Sequence, residues 1–532
     1  MRFGLACLAT AIAAIAGVWA WLGAPVAMPH APLAPGEKLY CVSYAPFRGW
    51  QSPLDASAQI SAAQIEQDLG ELAKITDCVR TYSVDFGLQQ IPAIAERHGL
   101  QVMLGLWLSR EREQNRRQIE TGVALANRYP ATVRSVVVGN EVLLRGEMAP
   151  GDLAATIRAV KTRVKVPVTY ADVWEFWLRH RDVAAAVDFV TIHILPYWED
   201  VPVAAGAAAA HVAAIRDQVV AAFPGKDVLI GEVGWPSAGR MRQGALPSPA
   251  NQARVIQDVL AVASAKMFHV NVIEAFDQPW KRALEGTVGG HWGLFDDANR
   301  RLKFAWGEPV SDHPFWRWQA AGGIVFALVI FGVAAFAGRR GASPSILWLA
   351  VSANALAGGI LIGWAAENAA LESLGLAGWL RSLAYVALAL ASPPLASMAI
   401  MRGQPAPRLS RLLGPKPQRL RDQLVLALGA VMIVTLLLAL NAAFGLVFDP
   451  RYKDFPFAPL TAAIIPLLTL SFATARRAGA RGAAELAAAA LLLLSALYIV
   501  PHETLANWQS LWFSGVLAGL AVSLWRVRDA PD

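Results

Sequence analysis

Charge is what this 532-residue chain has least of: Asp, Glu, Lys and Arg make up 16% of it, against 55% hydrophobic residues. A soluble chain of average make-up carries about 25% charged residues, so the shortfall excludes an ordinary soluble protein throughout. Cysteine is scarce too, at three residues. No CxxC pair and no metal-ligand spacing occurs, which argues against a zinc site or a thioredoxin-type redox centre. No GxGxxG follows the first predicted strand, which weakens a dinucleotide-binding open sheet. No nucleotide-sugar signature is visible. Neither a cofactor nor a metal is expected. The net charge of +7 does not point to nucleic acid, because much of the excess lies in short loops between apolar runs, where Lys and Arg set membrane orientation.

The average composition mixes two regimes that meet near residue 315. Upstream, charges are regularly interspersed; downstream, long uncharged runs alternate with short basic loops. The chain opens on an 18-residue uncharged run, Leu5 to Leu22, behind Arg2. That exceeds the ~7–15 residues of a signal-peptide core and favours an uncleaved anchor, while small residues from Ala24 to Ala31 leave cleavage open. Either reading sends the next segment across a membrane. Pro25, Pro29, Pro32 and Pro35 mark a linker, so residues 1–34 form a signal-anchor and linker.

Residues 35–312 alternate between two periodicities. Predicted strands lie at Leu39–Tyr44, Cys78–Tyr82, Gln101–Leu106, Val133–Val138, Val166–Tyr170, Phe189–His193, Val228–Gly231 and Val270–Ala275. Predicted helices lie between them at Ala62–Ile75, Leu88–His98, Asn115–Asn127, Pro150–Val164, Val173–Ala185, Val203–Ala222 and Pro249–Ala265. Eight strands with interleaved helices at this length predict an α/β fold, a (β/α)8 TIM barrel. Cys41 and Cys78 fall on the first two strands. In an exported domain they form a disulfide; otherwise they are two small buried apolar residues, and both readings stay open.

Glu141 follows the run Val136-Val137-Val138-Gly139-Asn140, and Glu232 follows Val228-Leu229-Ile230-Gly231, about 90 residues later. A lone Glu past a strand is usually a solvated loop charge. Two of them, after strands 4 and 7 of a closed barrel, converge on one mouth. A paired acid and base there suits cleavage of a glycosidic bond.

Residues 313–532 hold seven apolar runs: Ala320–Ala337, Ile346–Ala366, Leu383–Met401, Leu424–Phe448, Ala458–Ala475, Leu486–Val500 and Leu511–Trp525. The first five reach the ~17–25 residues of a membrane span; the last two are short, but flanking Ala483, Ala484 and Trp508 can extend them. Alternate loops carry Arg339 and Arg340; then Arg402, Arg408, Arg411, Lys416, Arg419 and Arg421; then Arg476, Arg477 and Arg481; then Arg526 and Arg528. The intervening loops carry only Arg381, Arg451 and Lys453. That asymmetry places the basic loops in the cytoplasm and the barrel on the opposite side. Asn354 and Asn441 are candidates for hydrogen bonding between helices. No span carries a charged series suited to an ion or proton path.

Further pieces accompany the two glutamates: Val42-Ser43-Tyr44, Val79-Arg80-Thr81-Tyr82, Leu195-Pro196-Tyr197, Gly231-Glu232-Val233-Gly234-Trp235-Pro236, Phe276-Asp277-Gln278-Pro279-Trp280-Lys281, Glu285, and His291-Trp292-Gly293-Leu294-Phe295. In this order, from about Cys41 to Phe304, they resemble glycoside hydrolase family 17, the endo-β-1,3-glucanase-like enzymes. The resemblance implies that Glu141 is the general acid/base and Glu232 the nucleophile of a retaining mechanism. It implies that Asn140 bonds the sugar hydroxyl beside the reacting carbon. Tyr44, Trp107, Tyr197 and Trp235 would be substrate-binding residues, and Lys281 and Glu285 a charged network around the nucleophile. Trp174, Trp177, Trp198, Trp280 and Trp292 also lie near strand ends as candidate stacking faces. The sequence departs from the family at Gln278, where an acidic residue is usual.

Members with a barrel and many spans resemble bacterial membrane-bound β-1,6-glucan synthases and β-1,3-glucan transglucosylases. The resemblance therefore implies a multi-pass protein of the cell inner membrane with its barrel in the periplasm. Its partners would be a β-glucan, the lipid bilayer and a glucan synthase or exporter. A plain endo-β-1,3-glucanase and a non-catalytic glucan-binding partner are the alternatives. Topology has a direct check: reporter fusions after Glu308 and after Asp532 are expected to give opposite compartments, and matching signals would refute the charge-based orientation.

Overall fold

A computed structural model describes residues 2–338, 345–412, 423–473 and 480–527. The chain divides into two compact units, Val26–Val310 and a second made of Met1–Pro25 with Ser311–Asp532. The N-terminal apolar run thus groups with the C-terminal helices.

The first unit is a closed parallel barrel whose strands pair in chain order: β1 (Cys41–Ser43), β2 (Cys78–Arg80), β3 (Gln101–Leu106), β4 (Val133–Asn140), β5 (Val168–Val173), β6 (Val190–His193), β7 (Val228–Val233) and β8 (Val270–Val272). β1 closes on β8 through Val42 opposite Val272. β1, β2 and β8 are shorter than expected. β4 and β7 run two residues further than expected, so Glu141 sits just beyond β4 while Glu232 lies inside β7. Irregular register at Val137/Asn140 and Ile192/His193 bends the strands that carry these residues. The expected helix Val173–Ala185 is two pieces, Trp174–Arg179 and a 3-10 turn at Arg181–Ala185, because His180 leaves the helical region (φ −122°, ψ 55°).

The bore is built in layers. Cys41, Cys78, Met103, Val137, Ala171 and Leu229 come from six strands and pack on one another as a cluster apart from the main core, as only inward-facing residues can. Cys41 and Cys78 form a disulfide across β1 and β2. Two residues on, where the side-chain period returns to the bore, the layer turns polar. Asn271 Nδ2 donates to Ser43 Oγ (2.8 Å) and to the Gly231 carbonyl (2.6 Å). The two ends of the unit meet in an antiparallel bridge, with Val26 N donating to Val310 O (2.8 Å) and Val310 N to Val26 O (3.0 Å).

The second unit is helical. Among the described residues, six helices are long and apolar enough to cross a membrane: Arg2–Leu22, Trp316–Ala337, Ser345–Glu372, Gly375–Met401, Gln423–Phe448 and Ala483–Glu503. The Leu486–Val500 run joins this set because its helix extends at both ends, through Ala483 and Ala484 as expected. Phe457–Ala473 is a shorter apolar helix of 17 residues, the end of its expected run, Thr474 and Ala475, lying outside the described residues, and Trp508–Arg526 is not among the six. Cys7, Ala11, Ile15 and Trp19 pack with Ala320, Ala327, Phe331 and Val351. Helices approach closely at Gly323, where a Cβ would meet the Gly359 carbonyl at 1.9 Å, the small-residue contact that membrane helices favour. Asn354 is buried; its Nδ2 donates to Ser397 Oγ (3.0 Å) and its Oδ1 accepts from Thr469 Oγ1 (2.7 Å), tying three helices. Asn441 is exposed and ties none among the described residues. Of the basic loop residues, Arg339, Arg340, Lys416, Arg419, Arg421, Arg476, Arg477 and Arg528 lie outside the described residues.

The disulfide closes a 37-residue separation, and cross-links of this kind contribute about 2–4 kcal/mol. Replacing both Cys41 and Cys78 by Ala is expected to lower barrel stability by about that amount. Denaturant unfolding of the oxidised, reduced and Ala forms checks it: the reduced and Ala forms should both unfold earlier than the oxidised one.

Candidate active site

β4 ends in a turn that aims Glu141. Gly139 has φ +93°, and a Cβ there would meet Val142 Cγ2 at 2.7 Å. Glu141 itself has φ +52°, a left-handed conformation uncommon outside glycine and concentrated at functional sites. Its amide donates to the Ala171 carbonyl (2.8 Å). On the far side of the mouth, Glu232 is 4% exposed.

Beside it stands Arg80, two residues above Cys78 on the same face of β2 and fully buried. Its Nη1 donates to Glu232 Oε1 (2.6 Å) and to Gly231 O (3.2 Å); its Nη2 donates to Asn140 Oδ1 (2.5 Å) and lies 3.4 Å from His193 Nε2. Tyr82, two residues further, donates its hydroxyl to the same Glu232 oxygen (2.9 Å). Burial would raise the Glu232 pKa, but the His193 ring and the Arg80 guanidinium outweigh it and hold the carboxyl below its ordinary value. Burial first, then the Glu232 charge, pushes the Tyr82 hydroxyl well above its ordinary value, so it stays a neutral donor.

His193, at the end of β6 and fully buried, joins the two carboxyls. Its Nδ1 lies 2.8 Å from Glu141 Oε1 and its Nε2 3.6 Å from Glu232 Oε1. In the neutral ring Nε2 faces an Arg80 N–H and accepts, so the proton sits on Nδ1 and is donated to Glu141. In the charged ring Nδ1 also carries a proton. Both forms give Glu141 the same hydrogen bond. One oxygen of each glutamate and a His193 nitrogen lie within 4.8 Å of one another. Three such donors could hold a metal ion by distance alone, but the fixed cation Arg80 already bonds Glu232 and faces His193. A divalent ion would have to share that space with a guanidinium, and the residues do not fit one.

A second charged group flanks Glu232. Lys281 Nζ lies 2.9 Å from both oxygens of Glu274. Burial pushes the Glu274 pKa up to about 7; Lys281 opposes the rise, and Glu285 and Glu232 add to it. Glu285 is raised by burial, opposed by Lys281 and reinforced by Glu141 and Glu232.

Other expected site residues lie elsewhere. Tyr44 is buried and donates its hydroxyl to Asp68 (3.0 Å), where Arg48 and Arg300 also bind. Ser43 faces the bore, so its neighbour faces the helices. Tyr197 and Trp235 are both 0% exposed. Tyr197 donates to Arg240 O (2.9 Å), Trp235 to Leu246 O (3.0 Å), and their rings meet edge to face. Both belong to the main core and present no exposed stacking face. Trp177 and Trp292 are buried as well. Trp107 is half-buried, with the Arg145 guanidinium 4.3 Å over its ring. Gln278 is buried, its Nε2 donating to Ala45 O (2.8 Å) and Phe276 O (3.2 Å) and its Oε1 accepting from Trp280 Nε1 (2.8 Å). A carboxylate there would face two carbonyls with no proton to offer, so the amide is what this packing requires. Arg80, Tyr82, His193 and Glu274 were not singled out from the sequence as site residues; an Arg on a short buried strand was the available signal.

Residues 41–293 match the family described as the BtgE/BtgC glycoside hydrolase domain. The barrel is endo-β-1,3-glucanase-like, similar to glycoside hydrolase family 17. It is similar to a glucan 1,3-beta-glucosidase of Candida albicans, 28% identical over 271 residues, covering 45% of this chain and 85% of the relative. A glucan 1,3-beta-glucosidase of Saccharomyces cerevisiae is 25% identical over 269 residues, with 46% and 85% covered. A probable beta-glucosidase btgE of Aspergillus fumigatus is 29% identical over 228 residues, with 42% and 40% covered. Among solved structures, a family 17 beta-1,3-glucanosyltransferase of Rhizomucor miehei has a TM-score of 0.45 and 28% identity, covering 50% of this chain and 97% of that one. The barrel is a glycoside hydrolase or transglycosylase enzyme.

A carboxylate kept ionised by donors sets the acidic limb of a pH–activity profile: activity falls as pH drops through its pKa. Tyr82→Phe removes one donor to Glu232, so that pKa rises and the limb is expected to move up by about one pH unit, the worth of one hydrogen bond to a charged group. A limb that stays in place would show that Glu232 does not set it.

Proposed function

We propose that the chain is a membrane-bound retaining β-glucan transglucosylase that cleaves β-1,3-glucan and rejoins the fragment through β-1,6 linkages or branches. The observation that carries the mechanism is the short reach between the Glu141 and Glu232 oxygens, within 4.8 Å. Retaining enzymes keep their carboxyls about 5–5.5 Å apart, whereas inverting ones need ~6.5–9.5 Å to admit a water.

Glu232, ionised beside Arg80 and Tyr82, attacks the anomeric carbon. Protonated Glu141 gives its proton to the glycosidic oxygen, the C–O bond breaks, and a sugar ester forms on Glu232. His193 occupies Oε1 of Glu141, leaving Oε2 for the proton transfer. Asn140, whose Oδ1 is committed to Arg80, has its NH2 to offer the adjacent sugar hydroxyl. In the second step Glu141 takes a proton from an incoming sugar hydroxyl, which displaces Glu232 and restores the starting configuration.

Glucan 1,3-beta-glucosidases and a beta-1,3-glucanosyltransferase among the similar proteins support the substrate class. The membrane-bound reading rests on the apolar helices. The placement in the inner membrane with the barrel in the periplasm rests on the loop charges and on the disulfide, which persists in oxidising compartments. Hydrolysis by the same residues, with water as acceptor, is the second reading.

A fluorinated glucoside that forms the ester quickly and loses it slowly is expected to label Glu232, found by peptide mapping. Added laminari-oligosaccharide should release the label faster than buffer does and leave products longer than the donor with a new linkage. Release indifferent to the sugar would favour the plain hydrolase, and a label on another residue would overturn the mechanism.

A further inference from the structure

Glu141 is held in a left-handed backbone conformation. The turn that follows it is tied to β5. Leu143 N donates to Tyr170 Oη (3.0 Å) and to Asp172 Oδ2 (3.2 Å), and Leu144 N lies 3.4 Å from the same carboxylate oxygen. Tyr170 donates its hydroxyl to Asp172 Oδ2, and Val173 N donates to Oδ1 (2.8 Å). All four contacts donate to the carboxylate, so an acceptor-only group is what the pocket fits.

Asp172 is 0% exposed and Tyr170 1%. Ala171, between them in β5, belongs to the inward cluster, so its two neighbours point away from the bore. Neither can touch a sugar. Both act on the backbone two and three residues beyond Glu141. From the other side of the turn, Arg145 Nη2 donates to the carbonyls of Asn140 (2.9 Å) and Leu108 (2.8 Å).

We propose that Asp172, braced by Tyr170, is the positioning residue of the acid/base: it captures the Leu143 and Leu144 amides and thereby fixes the Glu141 carboxyl between His193 and the scissile bond. The proposal rests on the reading of Glu141 as acid/base. The device works as an N-cap does, by giving free amides a carboxylate partner, but here what it secures is the aim of a neighbour. A glutamate at positive φ relaxes to a commoner conformation once the amides lose their acceptor, and an ångström of displacement at a reacting group costs up to about 10²-fold in rate.

The test uses the full-length protein with Asp172→Asn, Tyr170→Phe and, as control, Glu141→Gln. Two substrates are compared: laminari-oligosaccharide, whose leaving group needs a proton, and an aryl glucoside with an activated leaving group, followed by the pre-steady-state burst. Glu141→Gln is expected to lose about 10²–10⁴-fold on the first and far less in the burst. Asp172→Asn should show the same split at about 10–10²-fold, and Tyr170→Phe a smaller split in the same direction. Azide, which needs no general base, should speed turnover of the aryl glucoside by Asp172→Asn and not by the parent. Equal losses on both substrates without azide rescue, or no loss, would overturn the proposal. Tyr170→Phe carries the test where Asp172→Asn fails to fold. If Glu141→Gln itself shows no split, the acid/base reading has failed; if it does and the other two do not, only the positioning role has.

Discussion

One buried guanidinium governs this site. An uncompensated charge inside a protein costs several kcal/mol, and the Arg80 charge is compensated because Glu232, Asn140, the Gly231 carbonyl and His193 all turn toward its two terminal nitrogens. The dependence runs both ways. Glu232, 4% exposed, is held below its ordinary pKa by the His193 ring and by this cation. Strands β2, β4, β6 and β7 each supply one part, so closure of the barrel and assembly of the charge pair are the same event. The register shifts beside Asn140 and His193 are where the ladder yields so that these side chains can reach the centre.

How much of this was legible in the chain depends on what sets each feature. The barrel was legible because eight β-branched runs and seven amphipathic stretches are local patterns. Strand ends were not, since they depend on where neighbouring ladders stop; Glu232 accordingly lies inside β7 instead of after it. The two tyrosines show the limit most clearly. Tyr44 and Tyr82 both follow a short strand, yet Tyr44 is three residues past Cys41 and Tyr82 four past Cys78. With a side-chain period of two, one meets the helices and the other the bore, and only the register reveals which. Tyr197 and Trp235 looked like sugar platforms because large aromatics near strand ends serve either purpose; their burial against each other is a tertiary fact. His193, a lone imidazole in an apolar strand, gave no local sign that it would lie between two glutamates.

Four carboxyls, Glu141, Glu232, Glu274 and Glu285, surround two cations, Arg80 and Lys281. Full ionisation would leave a net negative pocket of low polarity. Burial first, then Glu285 and Glu232, raises Glu274 to about 7, so a proton there relieves part of the imbalance near neutrality. Gln278 works in the same direction, being an amide where a further acid would have deepened the excess.

The bridge between Val26 and Val310 has a meaning beyond the barrel. In chain order the whole catalytic unit is an insert, entered and left at one point, between the first helix and the remaining helices. A segment whose ends are already hydrogen-bonded to each other can be excised or exchanged with a short join, because removing it leaves no gap to span. The glucan chemistry and the helical unit can therefore be recombined as a cassette and its host, each free to change its sequence without redrawing the other's path.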